Sequence, residues 1–164
     1  MRHALIARGD APSPRAIPPI HSPLSGVPDA AWTRLVCTLE TAPLRHISES
    51  NGLGCYEMRP RRLGDLGLMT DLHIARRGKR QIWEGTFVPP LTQIAFLANP
   101  ILQYSALAES IARYDVNLND LPEGVSRSGA LAILHRAGPS GLTSWMRTRI
   151  PSTERLFERT NEIF

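Results

Sequence analysis

Prolines constrain this chain more than any other feature. Pro12, Pro14, Pro18, Pro19, Pro23 and Pro28 all fall within residues 9–28, a density that forbids helix because each ring removes a backbone donor and clashes with the turn before it. Residues 1–28 are therefore expected to form an extended arm, either a disordered leader or a strap lying across a partner, with the folded body starting near Asp29. Further on, Pro43, Pro60, Pro89-Pro90, Pro100 and Pro139 cut the remainder into short elements.

Between these breaks the apolar spacing is helical. Asp29 is a plausible N-cap for a helix that places Trp32, Leu35, Val36 and Leu39 on one face. Pro43 interrupts it, and Leu44–Ser48 predict a further turn. That reading puts Glu49 at or just past a helix C-terminus, beside the glycine-rich loop Asn51-Gly52-Leu53-Gly54. Pro60 signals another helix start, with Leu63, Leu66 and Met69 at helical spacing as far as roughly Asp71. Residues 79–90 read as a loop or short extended piece. Helices over 91–97, 101–114, 126–137, 140–147 and 152–164 complete the chain, and the stripe Ile101, Tyr104, Leu107, Ile111, Tyr114 reads as core. Strand alternation is scarce, so the expected class is mostly α, with one helical domain over residues 29–164 behind the proline-rich arm.

Length and composition bound the function only loosely. At 164 residues with 42% hydrophobic and 21% charged positions, the chain is one ordinary globular domain. Nineteen basic against fifteen acidic residues leave a net charge of +4, which favours an anionic neighbour without choosing among nucleic acid, lipid headgroups and cell-wall polymer. The basic clusters Arg59/Arg61/Arg62 and Arg76/Arg77/Lys79/Arg80 read as solvated faces. Neither is interleaved with aromatics, and no nucleic-acid recognition motif is present, so no specific nucleic-acid partner is expected. The apolar run Ala4–Ala7 is too short for a signal-peptide core or a membrane span, which predicts a protein that is cytoplasmic unless something other than a standard leader delivers it. Cys37 reads as core and Cys55 as a small apolar filler. Neither supplies a disulfide framework or, with His46 or His135, a supported nucleophile. The five histidines show no metal-ligand spacing, so neither metal nor cofactor is expected.

Candidate chemistry concentrates in Glu49-Ser50-Asn51-Gly52-Leu53-Gly54 and Cys55-Tyr56-Glu57-Met58-Arg59-Pro60. Two carboxylates, a hydroxyl, an amide and a phenol lie there within twelve residues, around glycines that let backbone approach a ligand. Glycoside cleavage needs a carboxylic acid still protonated near neutral pH, and a helix C-terminus favours one. Glu57 is a second carboxylate, a polar cleft residue or a general base. His135, at the end of an apolar helix, reads as a capped or core histidine. Trp83 beside Glu84 is a candidate sugar-stacking ring.

The order of Glu49-Ser50, Gly54-x-x-Glu57-Met58-x-Pro60 and Leu66-Gly67-Leu68 resembles the lytic transglycosylases of the goose-type and soluble-lytic lysozyme superfamily. There the pattern is E-S, a loop, G-L-M-Q-[IL]-x-P, a short helix and L-G. Asn99-Pro100-Ile101-Leu102-Gln103-Tyr104 is similar to that family's D-P-x-x-N-I segment, and Ala130-Leu131-Ala132 followed by Ala137-Gly138-Pro139 and Trp145 to its A-L-A-A-Y-N-A-G-P-G segment and final W. The resemblance implies a lysozyme-like domain acting on peptidoglycan glycan strands. It makes Glu49 the sole catalytic residue, first acid and then base, while the sugar's own hydroxyl attacks to give a 1,6-anhydro product without any cofactor. It implies that Ser50, Tyr56, Glu57 and His135 line the glycan cleft, with Ala137-Gly138 as its opposite wall. The family carries a dozen or so residues between E-S and G-L-M-Q, whereas Asn51, Gly52 and Leu53 alone separate Ser50 from Gly54. The expected Gln is Glu57, and the Y-N pair is His135-Arg136.

A wall-cleaving domain without a leader suits a phage particle or tail-like machine that carries it to the periplasm, with the arm strapped to virion or secretion-machine subunits. A catalytically inactive lysozyme-like component of such an assembly is the alternative.

Overall fold

The computed structural model describes residues 21–164 apart from Asn117 and Ile150. Among these, six helices and one antiparallel hairpin follow in the order α1 (Asp29–Leu39), α2 (Pro60–Asp65), β1 (Met69–Arg77), β2 (Arg80–Phe87), α3 (Gln93–Ala98), α4 (Pro100–Asp115), α5 (Arg127–Thr148) and α6 (Pro151–Thr160). The architecture is mixed, which corrects the expectation of a mostly α domain. No described helix is long and apolar enough to cross a membrane.

The hairpin escaped the sequence reading for a physical reason. Of the nine residues of β1 only Met69 is buried, and β2 buries Ile82 and Phe87. Both faces of the ribbon are largely solvated, so the alternation that marks a half-buried strand never develops. Meanwhile Leu63, Leu66 and Met69 mimic a helical stripe, yet α2 stops at Asp65. Gly67 takes a φ of 72°, Leu68 N–H donates to the Leu63 carbonyl at 2.8 Å, and Met69 pairs with Phe87 as the first rung of the sheet. Gly64 has its own part in this, since a Cβ there would run into the Leu72 side chain. Its bareness lets the hairpin lie on α2.

The core is built where the helical reading was sound. Trp32, Leu35, Val36 and Leu39 of α1 meet the fully buried first half of α5, Ala130–Ile133, with Leu107 and Ile111 of α4. Cys37 lies on the opposite face of α1 and is exposed, contrary to its reading as core. Within the stripe of α4, Leu107, Ile111 and Tyr114 are buried, while Ile101 is 66% exposed. Of the proline-rich arm, residues 1–20 lie outside the described residues. Leu24 and Val27 are buried in the core. They are held by Ser22 N–H donating to the Asp29 carboxylate at 2.8 Å and by Arg127 donating to the Ser25 carbonyl at 3.1 Å.

Gln103, fully buried on α4, joins three segments. Its Oε1 accepts from Cys55 N–H at 2.9 Å, and its Nε2 donates to the carbonyls of Leu44 and Phe96, each at 3.0 Å. Gly54, with a φ of 75°, passes so close to this carboxamide that any Cβ would collide with it. Gln103→Leu keeps the volume but strands these backbone groups. Since each buried unmet partner costs about 1–3 kcal/mol, urea unfolding should register a loss of about 2–4 kcal/mol. A loss under about 0.5 kcal/mol would show the junction to be incidental.

Candidate functional site

After α1 the chain does not resume a helix. Residue Pro43 has no N–H to continue the ladder and holds its predecessor extended. Residues 46–58 instead fold on themselves around Leu53, which bridges Ile47 on one side and Met58 on the other. Gly54 N–H donates to the His46 carbonyl at 2.8 Å, and Ser48 N–H to the Gly52 carbonyl at 2.9 Å. Gly52 has no room for a Cβ between Glu57 and Ser48.

This loop decides where each candidate residue lies. Glu49 sits on an exposed turn with its side chain 82% accessible, ion-paired to Arg80 of the hairpin. It adjoins no helix end. Ser50 is exposed beside it, its hydroxyl 3.2 Å from that of Ser48. The ring of Tyr56 points into the core rather than into a cleft, and burial pushes its phenol pKa upward, with Cys55 and Glu40 adding to the effect. Of the other predicted residues, Glu57, His135, Ala137 and Gly138 do converge.

The convergence joins segments 79 residues apart. Arg136 Nη1 donates to Glu57 Oε2 at 2.5 Å, and His135 Nε2 donates to the Tyr56 carbonyl at 2.8 Å. Thr41 Oγ1 reaches the same Glu57 oxygen at 3.3 Å, and His46 lies 3.8 Å from the other. Glu57 holds a φ of 49°, a left-handed conformation that a non-glycine residue keeps only where its surroundings impose it. The Gly54 carbonyl, Thr41 and Arg136 impose it here.

Beside these contacts opens a cleft of about 510 Å³, with Met58, Arg59, Arg61, Arg62 and Asp65 on one side and His135–Ser140 on the other, and Trp83 of the hairpin reaching in. The far wall depends on Gly138. Its φ of 73° and ψ of −179° break α5 in two, a conformation open essentially to glycine alone. Pro139 then starts the second half at the position where a missing N–H does least harm. Arg59 and Arg61 are exposed, as a solvated face requires, and with the half-buried Arg62 they also line the cleft.

Glu40, which was not a candidate in the sequence, precedes Thr41 and is exposed. It is the C-cap of α1, no basic residue occupies the last turn, and no side-chain hydrogen bond or ion pair engages it among the described residues. The next residue, Thr41, is fixed by its N–H to the Cys55 carbonyl at 3.0 Å and by its hydroxyl to Glu57. Residues 42–53, twelve in all, separate Glu40-Thr41 from Gly54.

Because the Tyr56 carbonyl can only accept, His135 carries its proton on Nε2 and leaves Nδ1 as a buried lone pair without a partner among the described residues. Burial pulls its pKa down to about 4. Arg62 and Arg136 act in the same direction, while the Tyr56 carbonyl and Glu57 oppose them. Among the described residues no three His, Cys, Asp or Glu side chains come together to hold a metal ion. The linkage sign follows. Between an unfolded value near 6.5 and the folded value near 4, the unfolded chain binds a proton that the native ring refuses. This part of the stability is complete above pH 6.5 and is lost as pH falls toward 4, with a slope of up to about 1.4 kcal/mol per pH unit. Urea titrations from pH 4 to 7 should show that slope, and His135→Phe should remove it; an identical slope in both proteins would contradict the assignment. No family model, curated protein or solved structure matches this chain.

Proposed function

We propose that the protein acts on peptidoglycan glycan strands as a lytic transglycosylase, with Glu40 in the acid and base role first given to Glu49. The observation that carries this reading is the joining of Thr41, Glu57 and Arg136, and of His135 with the Tyr56 carbonyl, beside a cleft that His135 and Arg136 line; Glu40 enters as the residue before Thr41. Glu57 and His135-Arg136 belong to segments whose order resembles the family's motifs, whereas the E-S element of that resemblance was Glu49-Ser50.

In this scheme the Glu40 carboxyl gives its proton to the glycosidic oxygen as the bond from C1 breaks. The carboxylate then accepts the proton of the sugar's own C6 hydroxyl as that oxygen closes on C1, leaving a 1,6-anhydro end and a regenerated acid. One carboxyl serves both steps, so a second carboxylate is not required. Glu57, bound by Arg136 and Thr41, is suited to position the strand rather than to donate a proton.

A second reading is a binding component without activity. The Glu57–Arg136 ion pair favours it, since it puts two charges where the family has amides to contact acetamido groups.

Purified sacculi incubated with the protein discriminate between these readings. Soluble 1,6-anhydro-muropeptides should appear with the wild type and with Glu49→Gln, and should fall by about 10²-fold or more with Glu40→Gln. Release that survives Glu40→Gln, or that disappears with Glu49→Gln, overturns the assignment of Glu40. Sacculi that bind the wild type but yield no anhydro product establish the second reading.

A further inference from the structure

We infer that the cleft recognises free carboxylates on the peptides borne by the glycan, with Arg59 and Arg61 as the groups that bind them. The inference rests on the peptidoglycan reading for the identity of the strand, and on the charges of the cleft for its chemistry.

Four guanidinium groups line the cleft against one carboxylate, that of Asp65. Two of the four are committed within the protein. Arg62 donates to Asp65 at 3.3 Å while its guanidinium lies over the Tyr114 ring, 3.9 Å from the centroid, and Arg136 is paired with Glu57. The other two are not. Arg59 makes no side-chain hydrogen bond or ion pair among the described residues. Arg61 rests on the face of Trp83, 5.2 Å from the ring centroid, a contact that uses the flat of the guanidinium and leaves its donor edge free. A fork of N–H donors held flat by an aromatic ring is matched in shape and charge by a carboxylate, which takes two parallel hydrogen bonds from it.

The opposite wall does not offset this charge. There α5 breaks at Gly138, and Gly138, Pro139 and Ser140 face the cleft without adding a carboxylate to it. Two guanidinium groups without a carboxylate partner among the described residues, facing a wall that carries no acid, make a receptor for anions. A polyphosphate chain carries negative charge alone and would bring it against Asp65. A peptide-bearing strand carries separated carboxylates and amines, and an amine is the group Asp65 can accept. Trp83, stacked under Arg61, leaves an apolar edge for a sugar ring.

Calorimetric titration of the full-length protein tests the inference with three probes: the disaccharide-tetrapeptide cut from sacculi by a muramidase, neutral chitotetraose, and the oligonucleotide dT8. The disaccharide-tetrapeptide should bind more tightly than the other two and weaken as salt is raised. Arg59→Gln/Arg61→Gln should weaken it by about tenfold or more, whereas Arg76→Gln/Arg77→Gln, which removes equal charge from the hairpin tip, should leave it unchanged. No binding of the disaccharide-tetrapeptide, equal binding of chitotetraose, tighter binding of dT8, or equal losses in the two double variants would each overturn the inference. The cleavage reading fails separately: absence of anhydro release from sacculi, with carboxylate-dependent binding intact, removes the activity and leaves the recognition standing.

Discussion

The side-chain amide of Gln103 is the interaction on which the rest of the site depends. It is buried without access to water, and it satisfies an N–H and carbonyls from three stretches of chain that have no helix or sheet of their own in common. A long loop brought into an interior carries polar backbone that must find partners there. One carboxamide with an acceptor and two donors supplies them at the place where α4 meets the loop. Gly54 lies directly against it, so the loop's path is fixed within the reach of a single side chain. Tyr56 and Glu57 follow two and three residues later. Their hydrogen bonds to His135 and Arg136 therefore inherit their geometry from a contact on another helix.

Electrostatics takes over where packing ends. Glu57 is held by Arg136, and the nearby His135 stays neutral because its ring is enclosed beside two guanidinium groups. The same cations that keep a proton off His135 leave the cleft with a surplus of positive charge. Fold and charge are coupled here through sign.

The helices of the core were largely legible in the sequence because their apolar positions recur at the right interval and their ends carry usable signals. Pro60, Asn99-Pro100 and Gly138-Pro139 each mark a boundary that the structure respects. The hairpin was illegible because it buries too little to leave a pattern. Placing the acid at Glu49 depended on a helical turn after Pro43, and the backbone went instead into the bridges around Leu53. Glu40 drew no attention in the sequence because it read as the last residue of a helix; the structure ends α1 at Leu39 and leaves Glu40 as its C-cap. The pairing of Glu57 with Arg136 had no sequence signal, because contact across 79 residues is set by the packing of α5 on α1 and not by either neighbourhood.

Residues 22–28 are clamped to the body at the start of α1, by Asp29 and Arg127, and Glu40 stands at the other end of that helix. Eleven residues of α-helix separate the two ends by about 16 Å. The polypeptide thus enters this domain through a fixed rear attachment. Residues 22–28 are fastened at the end of α1 that lies away from Thr41 and the Glu57–Arg136 pair.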